Sequence, residues 1–292
     1  VKAPELLLQD AYLKLEKGEY EAARVSLNQA LQQRPEDMRL LRMIVRSHMA
    51  QKRPEAALKV VQDYSAAHPK SARVQELLAE VSLANGQKPQ ARAALLAAKA
   101  ADPNFTAADM GLAQLDIAEG HEKEATATLS ALLQRNDKNI AARMLLAAIK
   151  EKDGNPTAAM EEYKKILEIQ PSNILVLNNL AYDLAEYGNQ QDEALKYAQK
   201  ATELAPDAPA VENTMGWILY HKGLYSMALP YLEKAADKEP NARRKIHVAM
   251  AYLKMGDRER GQQNLVAAMK MDPSLPEIRT AQQMLDAMQG GR

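Results

Sequence analysis

Apolar residues recur through the chain at the three- and four-residue steps of an amphipathic helix, as in Leu175, Leu177, Leu180, Ala181 and Leu184. The pattern is punctuated at a fixed period. Pro35, Pro69, Pro103, Pro171, Pro206, Pro240 and Pro273 are spaced 34, 34, 68, 35, 34 and 33 residues, and Asp137 stands at the one missing beat. Gly18, Gly86, Gly120, Gly154, Gly188, Gly223 and Gly256 keep the same period, with Lys52 in the gap. Small residues form two further series. One is Ala11, Val45, Ala79, Ala113, Ala147, Ala181, Gly216 and Ala249; the other is Ala23, Ala57, Ala91, Ala125, Ala159, Ala194, Ala228 and Gly261.

Each series has a mechanical reading. A 34-residue unit accommodates two helices of roughly 14 residues and two short turns. The Gly lets the chain turn after the first helix. The Pro prevents continuation of the second. The small residues sit mid-helix, where the two axes of a hairpin cross closely.

With a small residue at position 8, Gly at 15, Ala at 20 and 27 and Pro at 32, the units resemble tetratricopeptide repeats. The resemblance implies an all-α, right-handed α-solenoid of eight helix hairpins. The units span about 4–37, 38–71, 72–105, 106–139, 140–173, 174–208, 209–241 and 242–275. The sixth carries one inserted residue in Asn189-Gln190-Gln191-Asp192-Glu193. A helix over 276–289, with Ile278, Ala281, Met284, Leu285 and Met288 on one side, is expected to cap the array, and 290–292 to form a tail. The junction of the fourth and fifth units should be weakest. It lacks the Pro, carries Arg135-Asn136-Asp137-Lys138-Asn139, and has Leu132 where a small residue is usual.

Composition narrows the function classes. Among 292 residues, 38 Lys plus Arg balance 38 Asp plus Glu, which disfavours a broad nucleic-acid or anionic-membrane surface. The chain has no Cys, so disulfides, thiolate metal sites and Cys nucleophiles are excluded. No apolar run approaches the length of a membrane span. His48, His68, His121, His221 and His247 fall in different units without ligand spacing, and no phosphate-binding Gly loop is present. No catalytic, metal or cofactor site is therefore expected, and the chain reads as non-catalytic. It begins Val1-Lys2-Ala3-Pro4, which reads as a fragment or processed form.

The resemblance further implies that positions 2, 5, 9, 12 and 13 of each first helix line a concave groove. Three candidate patches follow. Arg39, Arg42 and Arg46 could fork onto an acidic group, or pair with Glu76 and Glu80 of the next unit. Asn178, Tyr182, Asn213, Trp217, Tyr220 and His221 set amides beside rings on adjacent helices. They suit a peptide backbone or sugar rings, or the rings fill the seam between helices. Met110, Ile117 and Met144 offer an adaptable apolar lining or ordinary packing. The second patch is the favoured ligand site, and a groove-facing Trp217 should be open to solvent. The carboxylate clamp known in the family is not matched: Leu8 and Tyr12, then Arg42 and Arg46, occupy its positions.

Asn178-Asn179-Leu180-Ala181, Glu212-Asn213-Thr214-Met215-Gly216-Trp217 and the run to Asp272-Pro273 resemble bacterial envelope TPR lipoproteins associated with exosortase sorting and exopolysaccharide production. That resemblance implies a scaffold in the periplasm or at the outer membrane, with a cytoplasmic setting as the alternative. It would bind a protein segment or polysaccharide and be anchored through a segment outside this sequence. The rival readings are a substrate-docking arm of a larger enzyme, such as a glycosyltransferase, and a self-assembling coat.

Overall fold

A computed structural model describes residues 3–288. Among the described residues, 17 helices follow one another and no strand occurs. The first helices of successive pairs are α1 (Pro4–Glu16), α3 (Met38–Ala50), α5 (Ala72–Ala84), α7 (Thr106–Glu119), α9 (Ile140–Lys152), α11 (Ile174–Glu186), α13 (Pro209–His221) and α15 (Ala242–Lys254). Their partners are α2 (Tyr20–Gln33), α4 (Pro54–Ala67), α6 (Lys88–Ala101), α8 (Glu122–Arg135), α10 (Pro156–Ile169), α12 (Gln191–Leu204), α14 (Tyr225–Lys238) and α16 (Arg258–Met271). The last helix, α17 (Pro276–Ala287), packs on α15 and α16. The expected tail, 290–292, and the last residue of the expected cap, 289, lie outside the described residues.

Local chemistry explains the boundaries. Pro opens α1, α4, α10, α13 and α17, where a missing N–H is harmless. Asn139, Asn155, Asn173 and Asn241 cap their helices by accepting a backbone N–H through the side chain. Six of the periodic glycines adopt left-handed φ values, from 72° at Gly154 to 85° at Gly256. Lys52 takes the same conformation at φ 57°, without a glycine's freedom. The inserted residue alters this turn in the sixth pair. There Asn189, at φ 49°, holds the left-handed position instead of Gly188.

The small residues do bring hairpin axes together. Ala11, Ala23, Ala57, Ala159, Ala181 and Ala228 are all fully buried. At Gly216, an added Cβ would stand 2.7 Å from Leu232 Cγ and 3.0 Å from the Ala228 carbonyl oxygen. No larger residue fits between α13 and α14 unless Leu232 moves.

The chain divides into two compact units at Asp137 and Lys138, where the Pro beat is missing. In the first, Leu27, Leu41, Ile44, Val61, Leu77 and Leu95 contribute to a continuous core. In the second, Ile166, Leu180, Trp217, Ile218, Leu232, Ile246 and Leu265 do so. Within each unit every first helix packs on its partner, and the partner on the next first helix.

Candidate functional site

The first unit uses its groove-position charges on one another. Arg42 donates to Glu80 at 2.6 Å and to Glu76 at 3.2 Å, both on the next first helix. Arg39 turns back to its own helix cap and forks onto Asp37 at 2.9 and 2.7 Å. Only Arg46 of the three is exposed without an ion-pair partner among the described residues. The three guanidinium groups do not converge. Met110 and Ile117 are half-buried in this unit, while Met144 packs against the core of the other.

A three-ligand grouping also occurs here. Asp116, Glu119 and His121 bring ligand atoms within 4.8 Å of one another. Arg92 already bonds Asp116 at 2.7 Å and Glu119 at 2.6 Å, so a guanidinium supplies the positive charge at these carboxylates.

The second unit brings the amide and aromatic residues together, in two layers. The inner layer is a sealed stack. Trp217 is only 2% exposed, its ring lying 3.8 Å from that of His247 and 4.6 Å from that of Tyr220. The His221 ring meets it edge-on at 4.8 Å. The Trp217 indole N–H donates to Glu186 at 2.7 Å, and His221 Nε2 meets the same carboxylate oxygen at 3.0 Å. These two contacts hold the Glu186 carboxyl below its ordinary range, the His221 bond contributing more. Of the two readings its position allowed, Trp217 therefore takes the seam between helices and does not face solvent. The bulky imidazole of His247, one repeat further on, covers it. Tyr220 is buried too, with its hydroxyl pKa pushed up to about 12 by loss of solvent.

His247 is completely buried, which holds its pKa well below the ordinary value and keeps the ring neutral. Its Nδ1 lies 3.1 Å from Asn213 Oδ1, an acceptor, so this nitrogen carries the proton. The contact leaves the Asn213 amide nitrogen available to a ligand.

The outer layer is an open pocket of about 520 Å³. Its walls come from the face of α11, α13 and α15 and the end of α9. Asn178, Asn179, Tyr182, Asp183, Asn213 and Arg243 are among the lining side chains. Asn178 Oδ1 has no hydrogen-bond partner. Asp183 also lacks a donor on Oδ2, and its carboxyl is pushed up to about 7 by burial first and by the nearby Glu151 second. Glu151 accepts the Tyr163 hydroxyl at 2.5 Å, and Asn179 donates to that hydroxyl at 3.4 Å. Of the six expected residues in this patch, Asn178, Tyr182 and Asn213 line the pocket, while Trp217, Tyr220 and His221 stand behind it.

Sequence reasoning passed over Glu151, Asp183, Glu186 and His247. A signal existed for Glu186. It precedes Trp217 by 31 residues and His221 by 35, so it occupies His221's groove position one repeat earlier. His247 has no ligand spacing to the other histidines, and its stacking on Trp217 arises only from packing across repeats.

Two tetratricopeptide-repeat family models match residues 14–81 and 110–174. A TPR repeat-containing protein of Pseudomonas aeruginosa is 39% identical over 67 residues, which are 23% of this chain and 11% of that protein. Among solved structures, the APC/C hetero-tetramer Cut9–Hcn1 aligns with a TM-score of 0.61 at 17% identity, covering 97% of this chain and 55% of that one. PilF of Pseudomonas aeruginosa aligns at 0.58 and 20% identity, covering 73% and 96%. YrrB, described as a TPR protein with an unusual peptide-binding site, aligns at 0.50 and 18% identity, covering 65% and 97%. At such identities these structural likenesses establish the fold alone.

Proposed function

We propose that this chain, a tetratricopeptide-repeat protein, is a non-catalytic scaffold that holds an extended protein segment in the pocket of its second unit. One observation carries the reading. Asn178 and Asn213 occupy the same helix position 35 residues apart, line one pocket, and keep hydrogen-bonding capacity unused by the protein. An amide offers both donor and acceptor, as a peptide backbone requires. The peptide-binding site that YrrB's description records supports the view that such repeats serve this use. A polysaccharide is disfavoured, because the rings best suited to stacking on sugars, Trp217 and Tyr220, are buried.

The bacterial-envelope setting rests on the sequence resemblance of the last three repeats. Fractionation of the source cells tests it, and recovery in the cytosol alone would count against it. The binding reading is tested by selecting random peptides on the full chain, then measuring the winners against Asn178→Ala and Arg243→Ala. Affinity should drop about tenfold in at least one variant. Peptides that bind both variants as well as the parent would place the binding elsewhere.

A further inference from the structure

Five carboxylate residues are buried among the described residues: Asp109, Asp116, Glu162, Asp183 and Glu212. Four of them have cations. Asp109 is held by Lys99 at 2.7 Å and by Arg135. Asp116 is held by Arg92 at 2.7 Å. Glu162 is bonded by Arg143 at 2.7 Å and Lys150 at 2.8 Å. Glu212 is bonded by Lys234 at 2.5 Å and Lys238 at 3.3 Å. The fold thus pairs its buried acids, as the cost of desolvating a lone charge demands.

Asp183 breaks that rule. It is 5% exposed, forms no ion pair, and has no donor on Oδ2. The charged groups interacting with it are Glu151, which also shares a side-chain hydrogen bond with it, and Glu186, both of the same sign. Both line the pocket. The two arginines on the same wall do not compensate it. Arg243 is engaged by Glu277 at 3.3 Å, and Arg244 by Glu239 at 2.9 Å.

We infer that the pocket takes a cationic side chain of the bound segment, an ammonium or guanidinium, seated against the paired carboxylates of Asp183 and Glu151. The inference rests on the segment-binding function proposed above and supplies its charge preference. The surroundings favour an organic cation over a metal ion. Tyr182 and Tyr187 line the same pocket, and tyrosine rings attract ammonium and guanidinium groups. A hard metal ion would seek some six oxygen ligands, more than two carboxylates with scattered amides provide. A guanidinium is satisfied by two carboxylates and its planar fork.

Proton linkage follows from the same geometry. Around Asp183 stand Glu151 from α9, Tyr163 from α10, and Glu186 and Tyr187 from α11 itself. The pocket residues from α13, Asn213 and Thr214, are uncharged, and those from α15, Arg243 and Arg244, are already paired. With the Asp183 carboxyl pushed up to about 7, a cation entering at or below neutral pH displaces a proton. Binding should therefore strengthen as pH rises through neutrality.

The test uses the full chain and two small probes, N-acetyl-arginine amide and its uncharged analogue N-acetyl-citrulline amide. The side-chain amide signals of Asn178, Asn179 and Asn213 report occupancy by nuclear magnetic resonance. The arginine probe should bind about tenfold or more tightly than the citrulline probe. The preference should vanish in Asp183→Asn, whose melting curve confirms folding, and should grow from about pH 6 to about pH 8. Equal binding of the two probes, or an unchanged preference in Asp183→Asn, overturns the inference. So does calcium chloride displacing arginine from the same amides. If selected peptides occupy the pocket without a charge preference, the cation site falls and segment binding stands. If arginine binds through Asp183 but no peptide does, the cation site stands and segment binding falls.

Discussion

The two units use their charged side chains differently. In the first, Arg42 is clasped by Glu76 and Glu80, and Arg92 joins Asp116 to Glu119. In the second, Asp183 and Glu151 pair with each other at one pocket, with no cation beside Asp183. Beneath that pocket, the aromatic groove positions are stacked out of solvent on His247. Repeat periodicity dictates which positions look toward a groove. It does not dictate whether neighbouring repeats consume one another's functional groups. That depends on which residue stands one period away, and there the units part.

The largest expected effect removes the stack of the second unit. Trp217→Ala deletes a buried ring, exposes a void beside His247, and leaves Glu186 without its indole donor. It should cost about 3–5 kcal/mol in urea unfolding. A loss under about 1 kcal/mol would mean that the ring is peripheral. Next, Gly216→Ala forces a Cβ against Leu232 and should cost about 1–3 kcal/mol. A variant as stable as the parent would show that α13 and α14 can separate freely.

Acidity should sharpen the contrast from opposite sides. His247 has a depressed pKa, so below about pH 6.5 the unfolded chain takes up a proton that the folded one refuses. Stability should fall by about 1.4 kcal/mol per pH unit as pH drops from there, a slope that His247→Asn should reduce. Asp183 has a raised pKa, so its sign is reversed. The folded state binds its proton more tightly, and stability declines as pH climbs from about 4 to about 7. Asp183→Asn should therefore stabilise by roughly 1–3 kcal/mol at about pH 8 and have little effect at about pH 4. Equal effects at both values would show that Asp183 is not a strained carboxyl. The smallest effect lies in the first unit. Lys52→Gly relieves a left-handed lysine and should stabilise by about 0.5–1 kcal/mol in thermal or urea unfolding. Destabilisation would show that loss of the lysine side chain outweighs the relief.

Much of the fold was legible because each turn carries its own chemistry. Gly18, Gly86 and their counterparts mark left-handed turns, and buried Ala11 and Ala159 sit where the hairpins close. The left-handed residue of the sixth turn was not legible. An insertion can be absorbed at several positions, and the glycine beat falls on Gly188 while Asn189 takes the left-handed turn. The pocket was half legible. Asn178, Tyr182 and Asn213 follow from helix position. The choice between groove and seam for Trp217 does not, because it depends on the size of His247 in the next repeat. The isolation of Asp183 was hidden for the same reason. A sequence shows an aspartate, whereas only the packed neighbours show that no cation reaches it.

The contrast between the units rests most directly on the charge state of Asp183. Its side-chain carboxyl carbon can be followed by nuclear magnetic resonance from about pH 4 to about pH 9. A midpoint near 7 is expected, moving downward when N-acetyl-arginine amide is added. A midpoint near the ordinary aspartate value of about 3.9, indifferent to the arginine probe, would contradict it.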